Sequence, residues 1–259
     1  MKLQLLISAV NQKPQELIKK MNVRSSAILI NQGDKNGYEE FAVENGLVRA
    51  YSFAEKGVGL SRNNALFRAD CDISLFADED IIYCDSYEDL VLQEFEAHPE
   101  ADMLLFNVDV CEKRRTYHNE SFGRVHLYNC GRYPAYSFAL RTEVMHRKNV
   151  CYSLLFGGGA RYSNGEDSLF IRDCIRSGMR VYKTPVTIGR EEERDSTWFS
   201  GYHEKFFFDR GVLYAFLYGW LAAPMALQFL LRHKNVMCRE IPVGQAYALM
   251  RKGILEAGR

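Results

Sequence analysis

With 259 residues the chain is long enough for one large α/β domain with a full core. Hydrophobic residues make up 47% and charged residues 25%, an ordinary balance for a soluble globular protein. Lys plus Arg equals Asp plus Glu at 33 each, so no net field directs the chain to nucleic acid.

Other classes fall away on composition too. Cys71, Cys84, Cys111, Cys130, Cys151, Cys174 and Cys238 are scattered, odd in number and without a C-x-x-C pair. That pattern argues for reduced thiols in a cytoplasmic setting and against a disulfide or zinc framework. The 15 Tyr and 16 Phe suit sugar stacking but suit a core equally well.

Leu3 to Val10 reads as the first strand, since Asn11, Gln12 and Lys13 follow too soon for a signal peptide. Pro14 opens a helix to about Met21. Ala27 to Asn31 is a second strand, ending in Asn31-Gln32-Gly33-Asp34, and Leu47 to Phe53 a third. Lys56-Gly57-Val58-Gly59 then brings the backbone close to a ligand or simply makes a tight turn.

Gly59 to Asp80 carries the first informative pattern, GLSRNNALFRADCDISLFADED. Leu60, Ala65, Leu66 and Ala69 recur at helical spacing, with Arg62, Asn63 and Arg68 on the other sides and Ser61 placed to cap the start. Ile73, Leu75 and Phe76 form a short apolar strand that runs into Asp78, Glu79 and Asp80. Open α/β sheets place ligands at such strand ends. Asp78 and Asp80 point the same way in an extended segment, so they can share one cation, and hard oxygen ligands suit Mn2+ or Mg2+. A solvated acidic turn is the plain alternative.

A helix follows over about Tyr87 to Ala97 and a strand over Met103 to Val110. Glu112 to Tyr133 is polar and aromatic without a period, as functional loops often are. The second pattern is Phe156 to Asp167, FGGGARYSNGED, in which three glycines and an Asn-Gly turn precede Glu166-Asp167 at the head of a helix to about Ser177. The helix dipole favours acids there whatever their job, and it should lower their pKa. Val181 to Ile188 is the last strand.

Gly211 to Leu231 carries no charged residue and is flanked by Arg210 and by Arg232-His233-Lys234. Its length admits a membrane span. Pro224 in the middle instead favours two helices, one packed on the domain and one touching the bilayer interface. Full burial is the alternative. Ile241 to Leu255 is a final amphipathic helix.

The helix with SRNNAL, the AD-x-DI-x-LF strand, the D-x-D ending and the later glycine-loop GEDSLF together resemble family-2 glycosyltransferases of the GT-A fold, of the bacterial surface-polysaccharide type. The resemblance covers roughly Leu3 to Gly189. It implies one Rossmann-like, mostly parallel mixed sheet flanked by helices, with a C-terminal helical extension. Residues 1–200 would form the catalytic domain, with a nucleotide-sugar half (1–110) and an acceptor half (111–200), and 201–259 a lid with apolar and amphipathic helices.

The resemblance also implies roles. Asp80 would bind the metal directly and Asp78 the metal or the ribose, with His203 a further metal candidate. Ala9, Asn11, Asn31, Asp34, Gly59 and Arg62 would contact the donor. Asn31 departs from the pattern, which has an acid at that strand end. Gly157, Gly158, Gly159 and Tyr162 would form the acceptor loop. Asp167 would be the general base beside Glu166. Ser196-Thr197-Trp198 and Gly201-Tyr202-His203 would close over the donor.

The expected activity is inverting transfer of a hexose from a nucleotide sugar, with UDP the expected nucleotide, to a glycan or lipid-linked glycan. The expected place is the cytoplasm, at the inner face of the plasma membrane. A sugar nucleotidyltransferase is the rival enzyme, disfavoured because Ser8 to Asn11 holds no glycine. A non-catalytic assembly partner is the other rival, disfavoured by intact acids at 78, 80, 166 and 167.

Overall fold

The computed structural model describes residues 1–112, 115–192 and 201–258. Strand β1 (Leu3–Val10) lies in the interior of the sheet, because its LQLLISAV sequence is apolar on both faces and every residue but Val10 is buried. It pairs in parallel with β2 (Ser25–Gln32) on one side and β5 (Ile73–Asp78) on the other. Beyond β2 lies β4 (Asn45–Phe53), also parallel, and then the antiparallel edge strand β3 (Gly37–Val43).

On the far side of β5 the order continues through β9 (Phe138–Arg141), β7 (Met103–Asp109), β10 (Val181–Glu191) and β6 (Ile81–Tyr83). The two-residue β8 (Gly123–Arg124) pairs with β10. Among the described residues this is one 10-stranded mixed sheet. β4, β2, β1, β5, β7 and β10 run one way, and β3, β9 and β6 run against them.

Alternation along the strands builds two cores. Leu5, Ile7, Leu29 and Leu75 face helices α1 (Pro14–Lys20) and α3 (Tyr87–Ala97), packing on Leu17, Ile18, Tyr87, Val91 and Phe95. Leu6, Ile28, Ile30 and Phe76 face the opposite way, toward α2 (Val58–Leu66) and α5 (Glu166–Arg176), packing with Ala65, Leu66, Phe170, Ile171 and Cys174. Each large side chain fully buried in this way contributes about 1.5–3 kcal/mol before the entropy of ordering it is subtracted. The seven cysteines are all unpaired thiols.

Three expectations change here. Ser61 does not cap α2: it lies one turn inside, and its hydroxyl donates to Ser8 Oγ at 2.9 Å, tying the helix to the end of β1. Strands β3 and β9 and helix α4 (Thr142–Lys148) were not expected. The apolar segment breaks at Gly219 instead of Pro224, giving α6 (Glu204–Tyr218) and α7 (Ala222–Met237). Pro224 sits in the first turn of α7, where its missing N–H has no intrahelical acceptor to lose.

Helix α8 (Val243–Glu256) packs against α6 and α7 around Phe207, Ala226, Leu230, Ala246 and Met250. The α6–α8 crossing is tight because glycines stand on both sides of it. A Cβ on Gly211 would lie 2.1 Å from the Met250 carbonyl, and one on Gly253 would lie 2.1 Å from that of Phe208. A second small cluster of Phe156, Tyr162, Leu169, Val212 and Leu213 joins α6 to α5 and to the glycine loop.

Candidate active site

The parallel strands end together. In register, Ser8 lies beside Asp78 and Ala9 beside Asn31, so β1, β2 and β5 present one carboxyl edge. Helix α2 starts above that edge and α5 starts across from it. Arg62 of α2, only 4% exposed, reaches into the space between them.

Three carboxylates converge on this one guanidinium. Arg62 Nη2 donates to Asp78 Oδ1 at 2.9 Å, and Nη1 donates to Asp167 Oδ1 at 2.7 Å and to Glu166 Oε1 at 3.3 Å. Beneath it the guanidinium carbon stands 5.2 Å from the Tyr152 ring centroid, and that ring stacks on Phe170 at 3.9 Å. Tyr152 Oη is buried without a hydrogen-bond partner among the described residues. The four charged groups leave an excess of negative charge in a largely closed space, which suits a proton or an added cation.

Asp167 takes part of that load. Its other oxygen, Oδ2, accepts from the Ala135 N–H at 3.0 Å, so both oxygens turn inward although 21% of the side chain meets solvent. Burial pushes its carboxyl up to about 7; Arg62 opposes the rise, and the charges of Glu166 and Asp78 add to it. The expected lowering by the helix dipole is therefore overturned, because desolvation and like charge outweigh the dipole.

The acids at the end of β5 divide their work. Asp78 meets Arg62 through one oxygen, and among the described residues its second oxygen has no hydrogen-bond partner, while Glu79 Oε2 accepts from the Val10 N–H at 2.9 Å and fixes the end of β1. The Asp80 carbonyl accepts from the Glu192 N–H at 2.7 Å. Tyr136 was not foreseen here. Burial raises its phenol far above the usual range, and the charges of Glu191, Asp78 and Asp80 add to the rise.

A divalent cation is testable against these residues. Asp78 and Asp80 offer hard carboxylate oxygens, and among the described residues no three His, Cys, Asp or Glu side chains converge to hold an ion alone. Such a pair fits Mn2+ or Mg2+ only when a diphosphate and water complete the shell. His203 stands at the head of α6. It caps α6, its Nδ1 accepting from the Phe206 N–H at 3.3 Å, and it lines a cavity of about 280 Å3 with Gly157, Gly158, Gly159 and Lys205.

The residues expected to contact the donor stand in different settings. Asn31 spends its side chain on the Gln12 main chain, accepting from its N–H at 3.0 Å and donating to its carbonyl at 2.8 Å. Asn11 is exposed in a left-handed conformation (φ 53°), Asp34 is exposed in the turn after β2, and Ala9 is buried in the strand. Gly59 serves packing: a Cβ there would stand 2.5 Å from the Ser153 carbonyl. Gln32 does the unexpected work, exchanging two 3.1 Å hydrogen bonds with the main chain of Gly57.

The acceptor loop lies against that same turn. Val58 N–H donates to the Gly158 carbonyl at 2.9 Å, and a Cβ on Gly159 would stand 3.0 Å from Gly57 N. Gly157 covers the Glu166 carboxylate closely enough that a Cβ would meet it at 2.8 Å. Tyr162 departs from expectation: its ring is 6% exposed and packs on Phe156 at 5.1 Å, so it anchors the loop from below. Buried Asp209 of α6 accepts from the Ser163 N–H at 2.9 Å and steadies the next residues. Of the expected lid, Ser196, Thr197 and Trp198 lie outside the described residues.

Comparisons with known proteins agree with this architecture. No protein-family model matches the chain, and no curated protein sequence matches it. Solved structures do. S. aureus TarS 1–349 in complex with UDP-GlcNAc is similar over 99% of this chain and 79% of its own, at a TM-score of 0.62 and 14% identity. The complex of the same protein with UDP is similar over 93% and 74%, at 0.57 and 14%. The mannosyltransferase PcManGT from Pyrobaculum calidifontis, in complex with GDP-Man and Mn2+, is similar over 99% and 75%, at 0.54 and 10%. At these identities the likeness is one of fold: a single mixed sheet flanked by helices with a C-terminal helical region, the GT-A fold of glycosyltransferases.

Proposed function

We propose that the protein is an inverting glycosyltransferase that moves a hexose from a nucleotide sugar to a hydroxyl of a glycan or lipid-linked glycan. The observation that carries this is the pairing of Asp78, at the end of β5, with Asp167, at the head of α5, through the single guanidinium of Arg62. Supporting it, the similar structures hold UDP-GlcNAc, UDP or GDP-Man. UDP is the nucleotide we favour.

In this reading Asp167 is the general base. A carboxyl raised to about 7 accepts a proton from a sugar hydroxyl more readily than an ordinary aspartate, whose pKa lies far below the working pH. Arg62 orients it and Ala135 N–H holds its second oxygen, so the proton moves to a fixed site. Glu166, beneath Gly157, positions the acceptor loop. Asp80 and Asp78 would hold a divalent cation, which when bound supplies charge neutralisation for a diphosphate leaving group. Inversion follows from one displacement with no protein nucleophile.

The test is product analysis with a panel of nucleotide sugars. Release of nucleoside diphosphate, and a product of opposite anomeric configuration to the donor, is the expected result. Pyrophosphate release would replace the proposal with a sugar nucleotidyltransferase. Retained configuration would remove Asp167 from the base role.

A further inference from the structure

The segment Glu204–Met237 is apolar enough over 34 residues to cross a membrane by length and composition. Its folding argues otherwise. The helix breaks at Gly219, and α6 spends Phe207, Gly211, Val212 and Leu213 on protein contacts. Helix α7 has only one committed side, where Ala222, Ala226 and Leu230 are buried at helical spacing.

Among the described residues the other side is unpartnered and apolar. Trp220, 88% exposed, precedes α7, and Pro224, Leu227 and Leu231 follow on the same face of the helix, all exposed. A bare indole beside two leucines is a poor surface to leave in water, and tryptophan is the side chain that best suits the boundary between water and lipid.

Charge decides what covers it. From Gly211 to Arg239 the chain has no Asp or Glu, while Arg232 and Lys234 are exposed on the last turns of α7 and Arg239 follows it. Arg210, between α6 and α7, adds an uncompensated cation. It lies over the Phe206 and Phe229 rings at 5.2 and 5.5 Å, with no carboxylate bonded to it among the described residues, and its Nε is buried without an acceptor. An apolar stripe ending in basic residues, with no acid among them, is complementary to an anionic lipid surface.

We infer that the outer face of α7 lies in the plane of an anionic phospholipid bilayer, with Trp220, Leu227 and Leu231 inserted and Arg232 and Lys234 at the headgroups. This orientation is independent of the transfer chemistry. It also presents the catalytic domain at a set angle, because α6, next to α7, carries Asp209 and Leu213 against the glycine loop.

The experiment uses the full chain with Trp198→Phe, which leaves Trp220 as the single remaining tryptophan of the two. Vesicles of phosphatidylcholine with phosphatidylglycerol should pull the protein down and shift Trp220 emission to the blue. Pure phosphatidylcholine should do so far more weakly. Each basic residue near an anionic surface is worth about a five-fold change in partitioning, so Arg232→Gln with Lys234→Gln should weaken binding about 25-fold. Leu231→Ser, at an exposed position that leaves the core intact, should weaken it as well. An unchanged Trp220 spectrum with both vesicles overturns the inference. So does a dimer in sedimentation velocity that Leu231→Glu dissociates, which would make the face a self-association surface.

Discussion

Arg62 Nη1 stands 2.7 Å from Asp167 Oδ1 although 105 residues of chain separate them. The contact joins the helix after β4 to the helix after the glycine loop, across the carboxyl edge of the sheet. Because the same guanidinium also holds Asp78, the proposed base and the proposed metal acid share one counter-ion. A change at either acid is therefore felt by the other.

Removing the guanidinium should show this first. Arg62→Met leaves Asp78, Glu166 and Asp167 facing one another without a cation, and breaking a buried ion pair from one side costs about 3–5 kcal/mol. The partial exposure of Asp78 (31%) puts the expected loss at the lower end of that range. Arg62→Lys should recover little, because one ammonium cannot reproduce a fork that reaches three carboxylates. Thermal unfolding decides the matter: a melting point within a degree of wild type for Arg62→Met removes the hub role.

The raised pKa of Asp167 gives two pH effects of opposite benefit. The base must be ionised to act, so transfer should rise with pH through about 7 and then level off. Stability should move the other way. The folded pKa lies above the unfolded value of about 3.9, so between these values the folded state binds the extra proton and stability falls as pH rises. Asp167→Asn should thus lose about 10² to 10⁴-fold in transfer while melting at least as high as wild type at pH 8. A wild-type rate, or a pH profile flat between 5 and 8, would count against Asp167.

Much of this frame was legible in the sequence, and the failures share a cause. β1, α3 and β5 are marked by their own residues: Leu3–Val10 and Ile73–Asp78 are buried runs, and Tyr87, Val91 and Phe95 keep a helical period. β3 hid because an edge strand can carry Glu39 and Glu40, which weaken the strand signal and guard the edge. β9 hid because four residues are too few to show a period. The acids at 78, 80, 166 and 167 were marked by motif, and the structure brings three of them, Asp78, Glu166 and Asp167, together on Arg62. The hub role of Arg62 was not so marked, since no local pattern reports partners 16 and 105 residues away. The sign of the Asp167 shift was missed for the same reason: a helix dipole is local, while burial is a tertiary fact. Tyr162 turned inward because α6, much later in the chain, supplies Val212 and Leu213 to receive it.

The metal prediction separates the two acids of the D-x-D. Nucleoside diphosphate binding, measured by calorimetry, should need Mn2+ or Mg2+, since Asp78 and Asp80 alone do not complete a coordination shell. Asp80→Asn should abolish that dependence. Asp78→Asn should also disturb Arg62 and so change stability as well as binding. Equal affinity with and without metal in the wild type would sink the assignment.

The last prediction concerns the crossing of α6 and α8, and it tests whether the C-terminal helices support the loop. Gly211→Ala places a Cβ 2.1 Å from the Met250 carbonyl, a backbone atom that cannot swing aside as a side chain would. The helices must part, and overpacking of this kind costs about 1–3 kcal/mol, sometimes more. For a chain of this size each kcal/mol lowers the melting point by about 2–4 °C. Gly244→Ala is the matched control: it lies in the first turn of α8 with nothing near its absent Cβ, so it should be neutral or slightly stabilising. The functional consequence follows from what else α6 holds. Asp209 binds the Ser163 N–H, and Leu213 fills the space beside Gly165, immediately before Glu166 and Asp167. Moving α6 should therefore raise the KM for acceptor more than that for the nucleotide sugar, whose proposed contacts lie at the carboxyl edge of the sheet. If Gly211→Ala melts like wild type, the tight crossing is wrong; if it melts low but leaves the acceptor KM unchanged, α6 does not steady the loop.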